Sequence, residues 1–250
     1  MLKESWKKIL LGALLLTGLT MLLGSDSSDK KSDSLLAMPK AEAAAMPAYE
    51  QEYMKIVEGV CDYLTTGNTA GLPAQGLIGF EELEGHNDPG QGVSSVGYTL
   101  QDINNDKVPE LIFGLIDYPE GKGYYGRDIY AVYTFVDGKI KFVDEGWARS
   151  NLQLLPNNML LMRGNSSNTD YVLVLEDLLP NGNKRCVDMY FTRSKNGNAA
   201  VNGLDVYRND VGRDDVAASQ KTNMTADDFF DMGAEMAGDL SLIHISEPTR

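Results

Sequence analysis

From Val96 to Tyr207 the chain runs as short apolar segments broken at regular intervals by Asn, Asp and Gly, and this spacing constrains the fold more than any other feature. Segments this short, enriched in Val, Ile, Leu, Tyr and Phe and bounded by turn residues, are strands rather than helices. The expected strands are residues 96–101, 111–116, 128–136, 139–144, 152–155, 159–163, 171–175, 185–192 and 201–207. Asp137-Gly138, between two alternating runs, is the strongest hairpin signal, because a two-residue turn matching strand twist needs positive φ at both positions. Asn157-Asn158 and Asn196-Gly197 are looser versions. Consecutive strands joined this closely predict an antiparallel meander, hence a sandwich, a barrel or a partial propeller.

Helices are expected on either side. Tyr49, Tyr53, Ile56, Val57, Val60 and Leu64 recur mostly at steps of three and four, so residues 48–66 read as a helix with one apolar stripe, stopped at Gly67. Residues 72–92 read as a loop with a short turn of helix. Thr225 is placed to cap a last helix through Met236, with Asp227 and Asp228 in its first turn. The fold class is α+β: an N-terminal amphipathic helix, an antiparallel β-meander that is sandwich-like or a partial propeller, and a C-terminal helix.

The ends of the chain read differently from its middle. Lys3, Lys7 and Lys8 precede an uncharged run from Ile9 to Gly24. That run is short against the roughly 20 apolar residues a membrane-crossing helix needs, and it fits a signal peptide or a short anchor. Ser25 to about Pro47, first Ser/Asp/Lys and then Ala-rich, lacks the apolar surface to fold alone and reads as a linker. Leu240-Ser241-Leu242-Ile243-His244-Ile245-Ser246-Glu247-Pro248-Thr249-Arg250 resembles the translated Nextera transposase-end adapter, so the natural chain is expected to run to about Asp239 and to have been cut there. One globular domain, 48–239, is expected between the linker and this segment.

The net charge of −14 repels phosphate backbones and anionic membrane surfaces, which argues against nucleic acid and leaves membrane contact to the N-terminal segment. It favours divalent cations wherever carboxylates converge. The run Asp102-Ile103-Asn104-Asn105-Asp106-Lys107-Val108-Pro109-Glu110 places side-chain oxygens at its first, third, fifth and ninth positions, and Val108 offers a backbone carbonyl at the seventh. A calcium ion takes six to eight such oxygens, and a tight loop delivers them at alternate residues. Strand-like Tyr98-Thr99-Leu100 and Leu111-Ile112-Phe113 flank the loop, and the twelfth position is Phe113, so it is not an EF-hand. The other reading is an Asx-rich hairpin turn without metal.

The stretch from Tyr98 to Ile112 resembles the Y-x-L-x-D-I-[DN]-x-D-G-x-P-E-L-I signature of exported bacterial proteins of unknown function, which is similar to the calcium loops of FG-GAP and VCBS β-propeller repeats. The resemblance implies Asp102, Asn104, Asp106, the carbonyl of Val108, and Glu110 as ligands of a structural calcium ion. It departs from the pattern at Lys107, where the signature has Gly. A non-Gly residue at positive φ there costs on the order of 1 kcal/mol.

Three other features are candidates for a role. Cys61 and Cys186 either bridge the first helix to a late strand or serve as two small hydrophobes. Tyr124 and Tyr125, set among glycines, are candidates for a recognition loop. Glu81, Glu82 and Glu84 lie in an acidic stretch ending at Asp88, with the lone His86 among turn residues. There is no HExxH, no zinc spacing and no Gly-x-Ser-x-Gly. Two functions follow as expectations. One is a non-enzymatic exported domain of the cell envelope with a structural calcium loop, binding a protein or a glycan. The other is an extracellular hydrolase using carboxylates near residues 81–88.

Overall fold

The computed structural model describes residues 46–86, 96–115, 125–126, 128–195, 203–238 and 243–244. The signal or anchor segment, most of the linker, Tyr124, Asp88 and the Asn196-Gly197 turn lie outside these residues. Among the described residues no helix is long and apolar enough to cross a membrane.

Helix α1 spans Ala48–Thr66, as the stripe predicts, and buries Tyr53, Ile56, Val57, Val60, Tyr63 and Leu64; the N–H of Gly67 closes it on the Tyr63 carbonyl. A single 3-10 turn, Thr69–Gly71, leads to α2, Leu77–His86. Here the structure corrects the expected loop with a short helical turn, giving a helix of ten residues. Its signal is weak because Leu77 and Ile78 are exposed while Phe80 alone of the three is fully buried. What docks α2 is Gly79: a Cβ there would stand 1.8 Å from the Tyr130 carbonyl oxygen, so only glycine lets the helix come this close to the sheet.

The strands are β1 (Val96–Gln101), β2 (Glu110–Leu115), β3 (Tyr125–Gly126), β4 (Ile129–Val136), β5 (Lys139–Asp144), β6 (Ser150–Leu154), β7 (Leu160–Asn165), β8 (Tyr171–Leu178), β9 (Lys184–Ser194), β10 (Leu204–Asn209), β11 (Gln220–Lys221) and β12 (Ile243–His244). Ten form one sheet in the order β1-β2-β4-β6-β7-β8-β9-β10-β11, with β5 also paired to β4. Every pairing is antiparallel, and the sheet is not a closed propeller. Asp137 and Gly138 turn the β4–β5 hairpin with φ of 52° and 78°, the double positive φ expected of them. Among the described residues β3 pairs only with β12, which falls in the segment resembling adapter.

Helix α3, Ala226–Gly238, starts with reciprocal bonds: the Asp228 N–H donates to Thr225 Oγ1 at 3.1 Å and the Thr225 N–H donates to Asp228 Oδ2 at 2.8 Å. That is a capping box with Asp in place of Glu.

The sheet has a helix face and an inner face. On the helix face α1 and α2 cover Val96, Leu111, Phe113, Ala131 and Tyr133. Farther along, α3 sets Phe229 against Leu161, Leu173 and Val206. On the inner face Ile112, Val132, Leu152, Leu154, Leu160 and Leu178 share one cluster, which joins β2 and β4 to β8 through the curl of the sheet. The β8–β9 tip completes the curl. Lys184 Nζ reaches both Asp144 Oδ2 of β5 and Glu176 Oε2 at 2.6 Å, and Lys141 Nζ donates to the Asn181 carbonyl at 3.1 Å.

Candidate metal centre

The turn between β1 and β2 is the acidic run singled out from the sequence. Gln101 pairs with Glu110, so residues 102–109 form the connection and Glu110 opens β2. The loop is built by side chains capping its own backbone. Asp102 Oδ2 accepts from the Lys107 N–H at 2.9 Å, Asn104 Oδ1 from the Asp106 N–H at 2.9 Å, and Asp106 Oδ1 from the Val108 N–H at 2.8 Å. These Asx bonds hold Asn105 at φ 60° and Lys107 at φ 73°. The positive φ expected at Lys107 is therefore present, carried by a residue with a Cβ.

Glu110 is fully buried. Its Oε2 accepts from the Ile103 N–H at 2.8 Å, and its Oε1 accepts from Thr134 Oγ1 at 2.9 Å and from Asn104 Nδ2 at 3.0 Å. Burial raises its carboxyl to about 7; the bonds from Ile103 and Thr134 oppose this, and the charges of Asp106 and Asp102 add to it. The charges of Asp106 and Asp102 therefore reach Glu110. Asn104 Nδ2 also donates to Asp106 Oδ2 at 3.1 Å, which draws Asp106 and Glu110 to the same amide nitrogen. Asp102 Oδ1 is buried with no hydrogen-bond partner among the described residues.

Two neighbours complete the site. The β6–β7 turn leans on it, with Gln101 Nε2 donating to Asn158 Oδ1 at 3.1 Å. From α1, Tyr53 is fully buried, and its hydroxyl also lacks a partner among the described residues. Burial, followed by the charges of Glu110 and Asp106, holds that phenol far above its ordinary range.

Of the five expected ligands, Asp102, Asn104, Asp106 and Glu110 meet in one hydrogen-bonded loop, and Val108 enters through its N–H. The donors are oxygens, suited to a hard cation, and the orphaned Asp102 Oδ1 is an atom that a cation would satisfy. The set is not a ready-made cage. Among the described residues no three or more His, Cys, Asp or Glu side chains are gathered closely enough to hold a metal. Asn104 Nδ2 occupies the position of positive partner between Asp106 and Glu110, so a cation entering there displaces two amide hydrogen bonds.

Sequence reading missed Thr134 and Tyr53. Thr134 carries a legible signal, the one aliphatic hydroxyl within the apolar and aromatic β4; Tyr53 is hidden as a member of the helix stripe. The remaining candidates are dispersed. Cys61 on α1 and Cys186 on β9 are half-buried thiols that are not joined, so of the two alternatives the bridge is not formed. Tyr125 falls in β3. Glu81 of α2 is exposed, whereas Glu82 and Asp128 both act on the Tyr130 hydroxyl, which burial and then these two charges push up to about 12. No family model matches the chain, and neither a curated protein nor a solved structure does.

Proposed function

We propose that the chain is a non-enzymatic exported domain of the cell envelope, that the 102–110 loop takes calcium as a structural ion, and that the domain binds a protein or a glycan. One observation carries the metal part: the charges of Asp106 and Asp102 both act on Glu110 in a single strand-joining turn, and Asp102 Oδ1 is buried without a hydrogen-bond partner among the described residues. Asp102, Asp106, Glu110 and, after exchange of its amide, Asn104 would hold the ion, which would neutralise their mutual repulsion and pin β1 to β2. The likeness of residues 98–112 to the exported-protein signature and the charged N-terminal segment support export. The sandwich-like or partial-propeller architecture belongs to the same proposal, supported by the curl that brings β8 over β2 and β4.

Differential scanning calorimetry tests the loop. Calcium is expected to raise the melting temperature above that in EDTA, and Asp102→Ala to abolish the rise. An unchanged melting temperature for the parent chain sinks the metal assignment. The second reading, an extracellular hydrolase, is favoured by one observation: the carboxylates of Glu82 and Asp128 both act on the Tyr130 hydroxyl.

A further inference from the structure

Beyond the acidic loop, a row of polar side chains crosses the helix face of the sheet where core residues would be expected. Asn151 pairs with Arg163, and Arg163 with Leu173; Gln153 pairs with Leu161. Since partners in register share a face, Asn151, Gln153 and Arg163 lie beside Leu161 and Leu173, which are buried under α3. Asn151 Nδ2 and Gln153 Nε2 both donate to Asp128 Oδ1, at 2.7 and 3.0 Å. Arg163 Nη2 donates to Asn151 Oδ1 and Gln153 Oε1, each at 3.1 Å. The two amides thus stand between a carboxylate and a guanidinium that a purely structural ion pair would bring into direct contact.

The row is incompletely satisfied. Arg163 Nε is buried with no hydrogen-bond partner among the described residues, and both amides use the same Asp128 oxygen. A buried donor left unpaired costs about 1–3 kcal/mol, and apolar residues at these positions would avoid it. An unsatisfied buried polar group calls for an explanation, and a functional site is one of them. The row is also within reach of solvent: Asp128, Asn151 and Arg163 are half-buried, and Gln153 is buried. At its Asp128 end it adjoins Tyr130, on which Asp128 and Glu82 both act.

We infer that Asp128, Asn151, Gln153 and Arg163 form a binding site for a neutral saccharide. The inference rests on the binding-domain reading and narrows it to a glycan; it does not depend on the calcium loop. A hydroxyl both accepts and donates, so a pair of sugar hydroxyls can accept from the half-buried Arg163 guanidinium and donate a hydrogen bond to the Asp128 carboxylate at once. An anion could satisfy only the guanidinium. It would also meet the Asp128 charge and a chain carrying −14.

The full chain, labelled and kept in calcium, is passed over immobilised neutral oligosaccharides of glucose, mannose, galactose and N-acetylhexosamines, with sialylated and sulfated glycans alongside. Retention by at least one neutral class is expected. Arg163→Met, which keeps the aliphatic stem, and Asp128→Asn are each expected to weaken that retention at least ~10-fold, a loss of about 1.4 kcal/mol, with melting temperatures near the parent's. If Arg163→Met fails to fold, Asp128→Asn alone decides. No retention on any neutral glycan, retention on anionic glycans only, or equal retention by parent and folded variants overturns the site. Release of reducing ends from the retained glycan supports the site while replacing the non-enzymatic reading with the hydrolase. The melting response to calcium is independent of all these outcomes.

Discussion

Glu110→Gln in the calcium-free chain tests how the acidic turn is held. The Glu110 carboxyl rises from 4.5 to about 7 on folding, chiefly because burial disfavours its charge. A carboxyl whose folded pKa lies above its unfolded value keeps its proton more tightly in the fold. The resulting stabilisation is fully present below about 4.5 and is lost as pH climbs through 7. At about 1.4 kcal/mol per pH unit, the interval amounts to about 3 kcal/mol. An amide has no proton to lose, so this part of the pH dependence disappears in the variant. The substituted amide also faces three donors, the Ile103 N–H, Thr134 Oγ1 and Asn104 Nδ2, with only one acceptor oxygen, so the variant starts less stable at low pH. Urea unfolding in EDTA at about pH 5 and pH 8 supplies the measurement. The gap between parent and variant is expected to narrow by roughly 2–3 kcal/mol between those pH values. Parallel pH profiles would refute the reasoning, since Glu110 would then titrate alike in the folded and unfolded chains. With saturating calcium the parent's own pH dependence is expected to flatten above neutrality, where the ion replaces the proton.

Three further outcomes follow from the same geometry. Lys107→Gly relieves a Cβ at φ 73° and is expected to stabilise the chain by about 1 kcal/mol, read as a higher urea midpoint. Tyr53→Phe removes a buried hydroxyl without a partner and is expected to gain about 1 kcal/mol in EDTA; a loss would mean that water or an ion serves that hydroxyl. Gly79→Ala drives a Cβ into the Tyr130 carbonyl at 1.8 Å and is expected to cost about 3 kcal/mol or more, with loss of near-ultraviolet dichroism as α2 lifts away.

The parts of the fold governed by local pattern were legible in the residues. The apolar stripe of α1 and the Asp137-Gly138 turn are each set by neighbours a few positions away, and the observed limits of α1, β1 and β5 match those expected. Helix α2 was not legible, because its docking depends on a missing side chain at Gly79 and on a carbonyl in β4 fifty-one positions later (130 − 79). The acidic loop was legible as alternating oxygens. Its control of Glu110 was not, since Thr134 and Tyr53 come from β4 and α1 and meet it only through strand pairing and helix docking. The polar row of Asn151, Gln153 and Arg163 alternates with Leu residues as a solvent-facing side would, so its place beside the α3 core was hidden until register was known.

The β8–β9 tip has a consequence for the order in which the molecule matures. A Cβ at Gly182 would lie 2.8 Å from Thr134 Cγ2, and Thr134 holds Glu110; the wall around the acid is therefore finished by a hairpin made much later in the chain. A nascent chain halted before that hairpin leaves the methyl side of Thr134 uncovered. Only when the distant tip arrives is Thr134 enclosed, so the front half of the protein completes its packing with the back half.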